Sequence, residues 1–175
     1  MRLYFIRHGE STSNYGELIT GQQDVPLTEH GREQARQAGR EILAKQIQID
    51  HIICSPLERA VNTARLIAHE IGYVEAKIQV NDLVIERSFG SLEGKPKGNA
   101  STMVDDYILS CGGEIDPQIR ERAQLFLDSL KDIQGSVLVV SHTGFGRRLR
   151  AVVEGIPTEQ SDNYENAVLT DLGEI

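Results

Sequence analysis

Four apolar residues, Leu3-Tyr4-Phe5-Ile6, open the chain and stop abruptly at Arg7-His8-Gly9-Glu10. A run this short, aromatic and β-branched reads as a strand buried on both faces. In an open α/β sheet, the residues just past the carboxyl end of such a strand stand at the mouth where ligands bind. Two later stretches repeat the arrangement. His51-Ile52-Ile53-Cys54 runs into Ser55-Pro56-Leu57-Glu58-Arg59, and Val137-Leu138-Val139-Val140 runs into Ser141-His142-Thr143-Gly144. If the three strands are parallel neighbours, Arg7, His8, Arg59 and His142 converge on one patch. Two guanidiniums and two imidazoles in one crevice make a pocket for a phosphoryl group.

The connections between these strands read as helices and loops. Glu10 to Leu27 is polar, rich in Ser, Asn, Gly and Gln, and reads as a long functional loop. Thr28 suits a helix cap, and Gly31, Ala35, Ala38 and Ile42 form a small-residue stripe that can lie close to a sheet before the helix fades near Lys45. Ser55 and Glu58 read as a capping box with Pro56 at the first helical position, so that Arg59 falls in the first turn. The free N–H groups there and the guanidinium favour the same negative ligand. Ile78 to Val80 is a short strand candidate, and Met103 to Leu109 a short helix broken by Gly112-Gly113. Asp116 is expected to cap a helix that starts at Pro117. A further helix is expected from about Gly144 to Glu154, and an edge strand at Ala167-Val168-Leu169.

At 175 residues the chain is expected to form one domain with a core stable without staples. Its net charge of −8 argues against nucleic acid or an anionic membrane as partner, since both call for basic stripes. Clustered arginines are therefore more informative here than in a basic protein. No apolar run approaches transmembrane length, and two cysteines without a CxxC pairing fit a reducing compartment; a cytosolic protein is expected.

Taken in order, these motifs resemble the histidine phosphatase superfamily, the phosphoglycerate mutase-like family. Arg7-His8-Gly9-Glu10 with Asn14 resembles its opening motif, and Pro26-Leu27-Thr28 with Gly31 and Gln34-Ala35 its following helix. Ser55 to Ala64, Glu86 to Gly94, Gly112-Gly113-Glu114 and Ser141-His142 fall where that family places its other motifs. The resemblance implies a three-layer αβα sandwich around a mostly parallel central sheet. It implies one domain over residues 1–175, with a short cap or insert at about 95–115.

It also implies a chemistry. His8 would attack phosphorus through one ring nitrogen, the other holding its proton against the carbonyl of Gly9. Arg7, Arg59 and His142 would bind the equatorial oxygens. Glu86 would protonate the departing alkoxide and then activate water. Asn14, Thr20, Gly21 and Thr143 are expected to contribute to substrate binding. No metal and no cofactor are implied, because the arginines and histidines supply the positive field.

Within the family the short segment between Glu86 and Gly112 favours a phosphatase of small phosphorylated metabolites. Mutases carry a longer, more basic insert there, and Tyr where this chain has Phe89. A phosphoglycerate mutase is the runner-up, and a non-enzymatic phosphate-binding module a third reading. A cysteine phosphatase is rejected because Arg59 lies only five positions after Cys54, without phosphate-cradling glycines between. A metal hydrolase on His8, His142 and Glu86 is disfavoured because flanking arginines repel a cation. Glu10 and Glu114 are read as structural partners of arginines. Arg147, Arg148 and Arg150 are read as a solvated face, and His30, His51 and His69 as surface or helix-end residues.

Overall fold

A computed structural model describes residues 1–15, 18–96 and 104–175, the side chains of Asn14 and Tyr15 excepted. Five strands form one sheet: β1 (Arg2–Arg7), β2 (His51–Cys54), β3 (Gln79–Val80), β4 (Ser136–Ser141) and β5 (Leu169–Glu174). Their order across the sheet is β3-β2-β4-β1-β5. The first four run parallel, and β5 closes the edge antiparallel to β1. The edge strand therefore begins at Leu169, with Ala167 and Val168 just before it. The three strands with polar ends are direct neighbours, β2-β4-β1, as the expected convergence of Arg7, His8, Arg59 and His142 requires.

Alternation along the strands builds two cores. Leu3, Phe5, Val137 and Val139 point to one face, where they meet Ile119, Ala123, Phe126, Phe145 and Leu149. These come from α5 (Asp116–Ser129) and α6 (Thr143–Glu154). Tyr4, Ile6, Ile52, Cys54, Leu138 and Val140 point to the other, against Ala38, Ile42, Ala60, Ala64 and Ile67. That layer is α2 (Glu29–Ala44) and α3 (Glu58–Glu70). The result is the three-layer αβα sandwich. Each fully buried Ile, Leu or Phe contributes about 1.5–3 kcal/mol relative to exposure.

Register fixes the site. Arg7 pairs with Ser141, and Ile53 and Cys54 pair with Val139 and Val140. The ladder continues one bond further on both sides, His8 N–H donating to the Ser141 carbonyl at 2.9 Å and Ser55 N–H to the Val140 carbonyl at 3.0 Å. His8, Ser55 and His142 thus leave the sheet at one level.

The helix ends follow local chemistry, with two corrections. Thr28 caps α2 as expected, its hydroxyl accepting from Gly31 N–H at 2.9 Å. Ser55 and Glu58 do not form a capping box: α3 begins at Glu58, with Leu57 at the cap position and no bond from its own side chain. Asp24, from the long loop, accepts from Glu58 N–H at 2.7 Å instead. Asp116 is the first residue of α5, not its cap. Gln118 accepts from Ile115 N–H, while the Asp116 carboxylate pairs with Arg148.

Gly31 also packs differently from the expectation. It lies against the backbone of Gly9 and Glu10 rather than the sheet, and a Cβ on it would stand 2.0 Å from the Glu10 carbonyl oxygen. The expected short helix is α4 (Asp105–Ser110), ended at Gly112 by a positive φ; Met103 lies outside the described residues. Ile108 packs with Ile19 and Leu92 in a small third cluster.

Candidate active site

Arg7, His8, Arg59 and Glu86 wall one cavity of about 380 Å³, together with Thr20, Gly21 and Thr143. These seven of the expected residues meet at the carboxyl end of the sheet, whereas His142 does not line the cavity. A short helix, α1 (Thr12–Tyr15), carries Asn14, whose side chain lies outside what the structure describes.

His8 is nearly buried, at 6 % exposure. Its Nδ1 lies 2.7 Å from the Gly9 carbonyl oxygen, which can only accept, so Nδ1 carries the proton. Nε2 is left with its lone pair and accepts from Arg59 Nε at 3.2 Å. Burial first, and the Arg59 guanidinium second, hold this imidazole well below its ordinary value of 6.5. It is a neutral base of fixed tautomer. From behind, Asn166 Nδ2 donates to the His8 carbonyl at 2.7 Å and locks the loop backbone.

Arg59 is 2 % exposed and does more than face the cavity. Its two terminal nitrogens donate to the carbonyls of Gln23 and Gly21, at 2.7 and 2.8 Å. One guanidinium thus ties the loop to α3 and polarises His8. Gly21 has φ +50°, and a Cβ there would stand 2.2 Å from the Glu93 carboxylate, which itself accepts from Gln22 N–H. The loop rim is built on that contact. Arg7 donates to the Tyr164 carbonyl at 3.0 Å, and its Nε is buried without a partner inside the protein.

Glu86 is not paired with the side chain of Arg87, which turns instead to the Glu114 carbonyl. Its carboxylate sits at the start of α6. Oε1 accepts from the N–H groups of Arg87 and Phe145, and Oε2 from that of Gly144, at 2.8, 3.0 and 3.1 Å. The absence of a side chain at Gly144 makes this possible, since a Cβ would lie 2.3 Å from Oε1. The Glu86 charge opposes the burial-driven lowering of both Arg7 and Arg59.

His142 is fully buried behind the cavity wall, its ring centroid 5.1 Å from that of His8. Burial, then His8 and the two arginines, hold it well below 6.5. Its Nε2 meets Ser55 Oγ at 2.7 Å, and Nδ1 has no partner inside the protein. Thr143 Oγ1 is likewise buried and unpartnered. Buried polar groups without a partner are rare in folded proteins, and three of them belong to Arg7 and Thr143, which line the cavity, and to His142, just behind it.

Several neighbours were not apparent in the sequence. Arg122 donates to the carbonyls of Leu83 and Ile85 and pairs with Glu114, clamping the segment that carries Glu86. Gln22 Nε2 holds the Glu86 carbonyl at 2.9 Å. Glu114 is the arginine partner expected, whereas Glu10 binds the Thr28 hydroxyl at 2.7 Å. Arg147 and Arg148 are not a solvated face: they reach the carbonyls of Thr158 and Ser161 and the Asp116 carboxylate. Arg150 pairs with Glu154 and Asp162 nearer the surface. Cys54 is buried and its thiol is pushed up to about 11, which removes it as a nucleophile at neutral pH. Among the described residues no cluster of three His, Cys, Asp or Glu side chains could hold a metal ion, and no helix is long and apolar enough to cross a membrane.

A doubly flanked histidine at a sheet mouth, facing a carboxylate, defines a class of phosphoryl-handling proteins. The chain belongs to the histidine phosphatase superfamily (branch 1), whose family pattern matches residues 3–173. It is 32% identical over 171 residues to the adenosylcobalamin/alpha-ribazole phosphatase of Escherichia coli, covering 91% of this chain and 82% of that one. It is 41% identical over 177 residues to a 2,3-bisphosphoglycerate-dependent phosphoglycerate mutase of a Methylobacterium species, covering 93% and 85%. A match to fructose-2,6-bisphosphatase TIGAR B of Danio rerio, 36% identical over 136 residues, covers 73% of this chain and 52% of that protein. The match to the mutase of Parvibaculum lavamentivorans likewise spans about half of that relative, 47%. Among solved structures, a mycobacterial glucosyl-3-phosphoglycerate phosphatase in complex with VO3 superposes with a TM-score of 0.82 at 26% identity, covering 97% of this chain and 91% of that one. These relatives are phosphatases and mutases, both of them phosphoryl-transfer enzymes.

Proposed function

We propose that this chain hydrolyses small phosphate monoesters through a phosphohistidine on His8, without a metal ion. The observation that carries the reading is the state of His8: a buried neutral ring, its proton held on Nδ1 by the Gly9 carbonyl and its Nε2 lone pair accepting from the Arg59 guanidinium. Nε2 attacks phosphorus, and the bond to the ester oxygen breaks with its electron pair leaving on that oxygen. The phosphoryl oxygens take over the Arg59 N–H that Nε2 accepts in the free enzyme. Arg7, Arg59 and the α6 end meet the charge on those oxygens.

Glu86 supplies the proton to the leaving alkoxide. Of its two oxygens Oε2 accepts only one N–H bond, so it has room for a proton and for the leaving group. In the second step Glu86 takes a proton from water, the hydroxide attacks phosphorus, and His8 leaves as the neutral ring. The positive field of the arginines occupies the place a metal would take.

The outer cavity wall combines Leu18, Ile19, Phe89 and Tyr164 with Ser11, Ser13 and Asn163. It suits a compact alcohol portion with an apolar face and a few hydroxyls. The packing of Ile108 on Ile19 supports a small cap within the expected 95–115 stretch, of which residues 97–103 lie outside the described residues. The net charge of −8 supports a small soluble metabolite as partner, over nucleic acid or an anionic membrane.

Phosphoglycerate mutase activity is the second reading, favoured by the 41% identical relative named above. A panel of phosphate monoesters, run with and without 2,3-bisphosphoglycerate and with chelator, separates the two. Hydrolysis of several esters that needs no primer, resists EDTA and is absent from His8→Ala is expected. Primer-dependent interconversion of phosphoglycerates would establish the mutase, and a sharp EDTA loss would return metal chemistry.

A further inference from the structure

We infer that Ser55 is a positioning residue that sets the tautomer of His142, so that a neutral imidazole donates from Nδ1 to an oxygen of the phosphoryl group at His8. The inference rests on the phosphoryl site proposed above and adds a residue to it. Ser55 is fully buried, and its Oγ lies 2.7 Å from His142 Nε2. That oxygen already accepts from Leu57 N–H at 3.3 Å, so its own proton needs an acceptor. Among the described residues His142 Nε2 is the acceptor within reach. If Nε2 carried the ring proton, the serine proton would be stranded, and the lone pair of Nδ1 would be buried without a donor.

The opposite tautomer satisfies the serine and leaves the Nδ1 N–H to be met by a bound oxyanion. The serine O–H donates to Nε2, and the ring proton sits on Nδ1, the nitrogen that has no partner inside the protein. Which nitrogen of a histidine is protonated is set by the bond the other makes. The ring stands 5.1 Å from that of His8 and directly precedes Thr143, which lines the cavity. An oxyanion on His8 is the acceptor that this N–H meets. The burial that keeps the ring neutral removes the imidazolium form, in which serine would have no say in the proton's position. Ser55 is available for this because the helix cap it might have formed is made by Asp24.

The test is 15N–1H NMR of histidine-labelled protein with and without inorganic phosphate, beside turnover of wild type, Ser55→Ala and Ser55→Thr. The wild type is expected to show a protonated Nδ1 and an unprotonated Nε2 at His142, with the Nδ1 proton moving downfield on adding phosphate. Ser55→Ala should move that proton partly or wholly to Nε2 and lower kcat about 10- to 100-fold, less than the ~10²–10³ of losing an oxyanion donor outright because the ring itself stays. Ser55→Thr, which keeps the hydroxyl, should restore both. A proton on Nε2 in the wild type, alone or with one on Nδ1, overturns the assignment. So does Ser55→Ala with the wild-type tautomer and rate. The tautomer is read without turnover, so if Ser55→Ala does not fold the wild-type spectrum still decides. A protein that hydrolyses no monoester yet shows the Nδ1 proton and its phosphate shift would overturn the phosphatase reading and support this one.

Discussion

In the proposed reaction His8 and Glu86 divide the chemistry because their surroundings differ. His8 is held neutral by burial and two cations, with one nitrogen committed to a carbonyl. Glu86 is seated on three backbone N–H groups and keeps one oxygen lightly bonded. Glu86→Gln keeps the size but places an amide NH2 where a carboxylate oxygen was. For alkyl esters, whose leaving group needs a proton, the loss in kcat should be about 10²- to 10⁴-fold. For p-nitrophenyl phosphate, whose phenolate leaves unaided, it should stay within about tenfold. Equal losses on the two substrates would remove Glu86 from the acid role.

At the scale of elements, the start of α6 is a socket for Glu86, and Gly144 is its floor. Gly144→Ala puts a methyl where the carboxylate sits, at 2.3 Å in the present geometry. Since that carboxylate is held by three bonds, it must leave the socket. Turnover of alkyl phosphates should fall at least as far as in Glu86→Gln, while circular dichroism stays native; wild-type turnover would show that the socket does not set the acid. Strands and their polar ends were legible because β1, β2 and β4 are short apolar runs that stop at polar residues, and parallel pairing brings such ends together. Ser55 was not legible in its true role, because Ser-Pro-Leu-Glu matches a capping box and only the fold reveals Asp24 doing that work from another segment. Arg122 and Gln22 were hidden for a similar reason: each acts on backbone carbonyls far away in the chain. Arg147 and Arg148 looked solvated because helical spacing says nothing about the carbonyls at 158 and 161 that receive Arg147, or about Asp116, which pairs with Arg148.

Across the whole molecule, the site has a cost in acid. His8 and His142 are buried neutral with folded values well below 6.5, whereas the unfolded chain takes up protons on both near that value. The unfolded state then binds more protons as pH falls through 6.5, so stability declines in that direction. Denaturation midpoints should drop between about pH 7 and about pH 5, and the drop should be smaller in His142→Asn. An equal drop in both proteins would mean that carboxylates elsewhere account for it. The central claim, that phosphate passes through His8, is tested most directly by quenching turnover and isolating the protein. A phosphoenzyme stable in base and labile in acid is expected, located on His8 and absent from His8→Ala. Full turnover by His8→Ala, or a phosphoryl group found on any other residue, would contradict it.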